Sequence, residues 1–218
     1  MFEGQTTRFY EDLHGERIAN ATRVKIVEAA TELFSLNGYT GVSIRDITKA
    51  VGIKESSLYK HFKSKEELIE TIYHNFRQTC GEILPPKEHL QAVAETMDVK
   101  SFLTRGWMNF KRHIDDPVNQ RIWRIMYIEL FRHPLARDIY QNDIVNRTVD
   151  CLELVFAAMI EAGKLKPNSP RLLAVEYQYP VFAMITEYLL LLLENKSTDI
   201  VEERISNHIA FFHDEAVG

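Results

Sequence analysis

Almost every segment of the chain repeats apolar residues at three- and four-residue spacing, and no hairpin dipeptide separates alternating runs. The pattern predicts an all-α fold. Ile26, Ala30, Leu33 and Phe34 form the stripe of a first helix that stops near Asn37-Gly38, where a left-handed C-cap is easy. Ser43 as N-cap, with Asp46 in the first turn, opens a short helix over residues 44–51, and Gly52 breaks it. A third helix is expected over about 54–62, and Ser64 caps a fourth that begins at Lys65 and runs toward Cys80. The adjacent prolines of "LPPKEH" then force extended backbone. Beyond them, long helices are expected over 98–114, 117–132, 135–162, 170–194 and 198–215, with a kink at Pro180.

Two short helices joined through a glycine turn and packed on a longer one match the helix-turn-helix plan, in which the second short helix reads DNA. Leu58 and Phe62, one turn apart, would anchor that helix to the core. Ser56, Ser57, Lys60 and His61 would then face outward, with Lys54 and Glu55 at the helix start. Charge sharpens the picture. Residues 43–65 carry six basic side chains (Arg45, Lys49, Lys54, Lys60, Lys63, Lys65) against Asp46 and Glu55, a net +4 inside a chain of −5. A solvated surface helix would account for such a patch alone, but an overall negative charge requires any nucleic-acid contact to be local.

The order of motifs in "IVEAATELFSLNGYTGVSIRDITKAVGIKESSLYKHFKSKEEL" adds to this, because it resembles the N-terminal signature of TetR/AcrR-family transcriptional regulators. The likeness covers about a fifth of the chain. It implies that the reader helix enters the major groove, that Tyr59 and Lys65 touch phosphates, and that Ser43 caps the second helix beside the DNA backbone. Arg45 and Lys60 stand where family members contact bases. Two residues depart from the pattern: Thr48 replaces the usual alanine, and Glu55 places a carboxylate in the reader helix, where it could accept from a cytosine amino group or repel other base edges.

The remaining chain is read from its side chains. Trp107, Phe110, Trp123, Met126, Tyr127, Phe156, Tyr177 and Phe182 are ordinary core residues by default, yet aromatics and methionines in such number also suit an apolar ligand pocket. Glu129, set among apolar neighbours, could meet a polar group of that ligand or join an interhelical ion pair. The last two helices carry "VFAMITEYLLLLL" and a stripe of Val201, Ile205, His208, Ile209 and Phe212, and four such helices from two copies would bury both surfaces. Leu189 and Ile205 are the positions expected in that dimer core.

Other classes find little support. The sequence has no glycine-rich phosphate loop, no G-x-S-x-G elbow and no H-E-x-x-H, so an enzyme is not expected, nor a cofactor or metal. Cys80 and Cys151 are too few for a disulfide framework. The N-terminal stretch does not read as a signal peptide, and the longest apolar run contains Glu187 and falls short of the roughly 20 residues that span a bilayer.

The expectation is therefore a cytoplasmic all-α homodimer without membrane contact. Residues 1–66 would hold an N-terminal extension and the helix-turn-helix unit, and residues 67–218 an effector-binding and dimerisation bundle. It would act as a repressor released from a palindromic double-stranded operator by a small hydrophobic or aromatic effector. The alternative is a protein of the same fold that no longer binds DNA specifically and acts through ligand or protein partners.

Overall fold

Asn20 opens the first helix, its side-chain oxygen accepting the N–H groups of Thr22 and Arg23 at 3.0 Å each. A computed structural model describes residues 9–217. Their helices are α1 (Ala21–Asn37), α2 (Ile44–Val51), α3 (Glu55–Leu58), α4 (Lys65–Gly81), α5 (Leu90–Thr96), α6 (Val99–Ile114), α7 (Pro117–Glu129), α8 (Pro134–Asp138), α9 (Arg147–Glu161), α10 (Pro170–Leu193) and α11 (Asp199–Ala216). A 3₁₀ turn at Lys87–His89 precedes α5, and a π-helical stretch at Ile139–Asn146 joins α8 to α9. Residues 1–8 of the stretch read against a signal peptide lie outside the described residues. Among the described residues, no helix is long and apolar enough to cross a membrane.

Packing divides the chain into two compact units that do not follow chain order. The first takes the residues up to Thr79 together with Asp116–Tyr140, and the second takes Cys80–Asp115 with Gln141 onward. The expected division after residue 66 follows roles along the chain, whereas packing groups α7 and α8 with the helix-turn-helix. In the first unit α1 lies against both α2 and α7. Its core is made by Ile26, Val27 and Phe34 from α1, Ile47 from α2, Leu68, Ile72 and Phe76 from α4, and Trp123 and Met126 from α7, all buried. Phe76 and Trp123 meet edge to face at 5.3 Å.

Ahead of α1 the chain forms a small antiparallel bridge between Glu11 and Arg17. The Asp12 carboxylate accepts the N–H groups of His14 (3.0 Å) and Glu16 (3.1 Å), which closes the turn, while Tyr10 and Ile18 are buried. Nothing in the hydrophobic period announced this segment, because a turn held by one aspartate leaves no repeat to read.

In the second unit α10 packs on α9 and α11, α11 on α6, and α5 on α9. Lys164 fastens α5: its ammonium donates to the Ala94, Glu95 and Met97 carbonyls at 2.6, 2.7 and 2.9 Å, a cation at a helix C-terminus. Phe156 stacks on Phe212 at 5.5 Å, and Tyr177 meets Phe212 edge on at 5.1 Å.

Three expectations change. The third helix is shorter than 54–62, ending at Leu58 before a turn that carries the backbone to Phe62. The single helix expected over 135–162 is three pieces, with the π-helical stretch between α8 and α9. The stripe of Val201, Ile205, Ile209 and Phe212 is buried within its own chain, with Ile205 fully enclosed, so it does not supply the dimer surface expected of it. Leu172, Tyr179, Leu190 and Leu193 of α10, with Ile200 and Phe211 of α11, are the apolar side chains these helices leave exposed.

Candidate nucleic-acid interface

The reader unit is built from caps and anchors. The Ser43 hydroxyl accepts the Asp46 N–H at 3.2 Å, and the Asp46 carboxylate accepts the Ser43 N–H at 2.8 Å and its hydroxyl at 2.6 Å, a reciprocal capping box. These bonds from Ser43 hold the Asp46 carboxyl below the usual carboxylate range. At the other end of α2, Gly52 takes the left-handed conformation (φ 77°) and its N–H reaches the Thr48 carbonyl at 2.9 Å. Thr48 itself is buried and donates its hydroxyl to the Arg45 carbonyl at 3.1 Å, so the departure from alanine is absorbed inside the helix.

Leu58 and Phe62 are 0% and 1% exposed, and burial of two such side chains contributes roughly 1.5–3 kcal/mol each. With these anchors inward, Lys54, Glu55, Ser56, Tyr59 and Lys60 are exposed, and Ser57 and His61 half-buried. On α2, Arg45 and the cap Ser43 are exposed as well. Every candidate DNA contact thus lies in the first unit.

Lys65 differs from the others. It is half-buried, and its ammonium donates to the Tyr39 and Val42 carbonyls at 2.9 Å each while lying 4.1 Å from the centre of the Tyr39 ring. Tyr39 is the hub of this corner. Its N–H donates to Glu129 at 2.8 Å, and its hydroxyl donates to Glu66 at 2.6 Å. Burial, then the neighbouring Glu66, pushes that hydroxyl's pKa well above the ordinary tyrosine range. The other Glu66 oxygen lies 3.0 Å from His133 Nε2. Tyr39, Glu66 and His133 were not picked out as site residues, because nothing local in sequence links positions 27 and 67 residues apart.

The expected ligand residues fall into two sets. Trp107, Phe110, Phe156, Tyr177 and Phe182 belong to the second unit, and Trp123, Met126, Tyr127 and Glu129 to the first. Trp107 packs edge on to Tyr188 at 5.7 Å and stacks with Phe110 at 6.3 Å, while Phe182 is half-buried beside Tyr179. Tyr177 is buried and stacks on His208 at 5.3 Å. Trp123 and Tyr127 lie together at 6.2 Å.

Comparison with known proteins bears first on the helix-turn-helix segment. Residues 26–72 match the family model described as bacterial regulatory proteins, tetR family. The HTH-type transcriptional repressor DhaR of Mycobacterium sp. (strain GP1) is 29% identical over 116 residues, which are 47% of this chain and 59% of that protein, so the match spans little more than half of its length. Among solved structures, a TetR-family transcriptional regulator of Mesorhizobium loti MAFF303099 has a TM-score of 0.64 at 18% identity, covering 90% of this chain and 97% of that one. The flavonoid-responsive regulator FrrA gives 0.58 at 22% identity, with the same 90% and 97% coverage. At such identities the structures speak for the fold, an N-terminal helix-turn-helix followed by further helices. Residues 26–72 thus carry the helix-turn-helix segment described for the tetR family of bacterial regulatory proteins.

Proposed function

We propose that the chain is a ligand-responsive DNA-binding transcriptional regulator, a cytoplasmic homodimeric repressor that leaves a palindromic operator when a small hydrophobic or aromatic effector binds. The observation that carries this reading is the basic face itself: Arg45, Lys54, Ser56, Tyr59 and Lys60 stand exposed around the buried anchors Leu58 and Phe62, in a segment of net +4 within a chain of −5. DhaR, a repressor by name, supports the regulatory direction.

Dimerisation is supported by the apolar face of α10 and α11, where Leu190 is 56% and Phe211 65% exposed. Two copies joined there would place two reader helices on successive major grooves, about one helical turn apart. The effector would meet aromatic side chains of the second unit such as Trp107, Phe110 and Phe182, the last two of which are half-buried. FrrA, responsive to flavonoids, supports an aromatic class. An effector favouring one of two states shifts the dimer by its difference in affinity between them.

One observation favours the alternative, a fold that has given up specific DNA binding: the Lys65 ammonium already serves two carbonyls. An ammonium has three N–H bonds, however, which leaves one for a phosphate. The test is a gel shift against duplexes enriched from a random pool, repeated over several salt concentrations. Preference for a palindrome is expected; binding without preference would favour the alternative. Effector binding is read separately, from Trp107 fluorescence in a Trp123→Phe variant, and a true effector lowers operator affinity by the factor that operator lowers its own.

A further inference from the structure

We propose that Glu129 is a positioning residue for DNA binding, one that fixes the turn between α1 and α2 through the Tyr39 amide and, through Lys65, the N-terminus of α2. The proposal rests on the DNA-binding reading above. Glu129 ends α7 and is 1% exposed. A carboxylate withdrawn from water is costly unless hydrogen bonds replace the water, and an apolar side chain of the same size would fill the space without that cost. The carboxylate therefore calls for a reason, and its bond supplies one: it accepts the Tyr39 N–H at 2.8 Å from 90 positions away.

The turn is shaped to admit it. Gly38 lies at φ 71°, and a Cβ there would come within 3.1 Å of Glu129 Oε1 and 3.2 Å of Ile128 Cγ2. From Tyr39 the link continues. Lys65 joins the Tyr39 and Val42 carbonyls, and Val42 directly precedes the N-cap Ser43. The Tyr39 hydroxyl reaches Glu66, which faces His133 just beyond α7, so the turn is tied to this end of α7 a second time. Arg121 and Glu32, 2.6 Å apart, fasten α7 to α1. The C-terminal end of α7 and the groups that face the DNA backbone, Ser43 and Lys65, thereby move as one body. Glu129 acts through Tyr39 and touches no DNA.

The experiment measures affinity for a palindromic duplex selected by the unaltered protein, using the full chain with Glu129→Gln, Glu129→Asp and Lys65→Ala, singly and with Asp and Ala combined. Gln keeps an acceptor at the same reach and is expected within about threefold of the unaltered protein. Asp keeps the charge but falls one methylene short, and is expected to lose about tenfold or more. Because Glu129 and Lys65 lie on one path, the double variant should lose clearly less than the product of the single losses. Amide exchange at Tyr39 should quicken in the Asp variant and stay slow in the Gln variant. Unchanged affinity with Asp, a Gln variant as weak as Asp, or fully multiplicative losses would each overturn the proposal. If the unaltered protein selects no duplex at all, the DNA-binding reading fails and carries this one with it. Selection by the unaltered protein with an insensitive Asp variant removes the positioning role alone.

Discussion

The carboxamide of Asn75 grips the backbone of Glu11 from both sides: Oδ1 accepts the Glu11 N–H and Nδ2 donates to the Glu11 carbonyl, each at 2.8 Å. The side chain thus stands in for a neighbouring strand, and its second N–H is taken by the Thr71 carbonyl at 2.8 Å. Asn75→Ala should strand these part-buried backbone groups and cost about 2–3 kcal/mol in urea unfolding, with the slope against denaturant unchanged. The segment around Glu11 should become open to protease in the same variant. A loss below about 0.5 kcal/mol would mean that Tyr10 and Ile18 hold the segment unaided.

On DNA, the exposed lysines and the half-buried one should behave differently. Lys65→Ala should weaken binding to every sequence and lower the salt slope by about one unit, with a loss of stability because two carbonyls lose their donor. Lys60→Ala and Arg45→Ala should leave stability within about 0.5 kcal/mol and change preference among sequences. Gel shifts on the selected duplex and on base-substituted versions separate the two outcomes.

The dimer should respond to the face of α10 and α11 that solvent sees. Charging Leu190 and Phe211 together should give monomers by light scattering with helix content intact, and tight operator binding should go with the dimer. Charge at Ile205 should act differently. That side chain is fully enclosed in its own chain, so Ile205→Glu should unfold the second unit, losing about 3 kcal/mol or more, before it dissociates anything.

Acid should loosen the start of α2. The folded protein holds the Asp46 carboxyl below its ordinary 3.8 through the bonds from Ser43. A group depressed in the folded state contributes stability above its unfolded pKa and loses it as the pH falls through the folded one, so the contribution disappears below about pH 4. Ser43→Ala should flatten this dependence, which circular dichroism of the helix between pH 5 and 2 can follow. Asp98, held down in the same way by Ser101, should show the parallel effect at the start of α6.

The reader unit was legible in the sequence because its signals are local: Ser43 with Asp46 three places on, Gly52 at a forced left-handed turn, and Leu58 with Phe62 one turn apart. Each is decided within a few residues of backbone. What escaped reading was decided at a distance. Nothing near Glu129 says that its partner is the Tyr39 amide, and nothing near Ile205 says which of two apolar faces of α11 turns inward. For α11 the exposed Phe211 and the buried Phe212 are neighbours in sequence, and only packing on α6 and α10 separates them. The interrupted region 135–162 failed for another reason, since helical period alone does not distinguish α-helix from a π-helical stretch.

The discontinuous first unit sets a clock on the birth of the protein. Residues through Thr79 leave the ribosome first, but α7, which packs on α1 and carries Glu129, belongs to Asp116–Tyr140 and is still to be made. At roughly 5–20 residues per second, the reader helices wait several seconds for their last supporting element. A nascent chain therefore emerges with its basic face already translated and its scaffold missing, and the first unit can close only after synthesis has passed Tyr140.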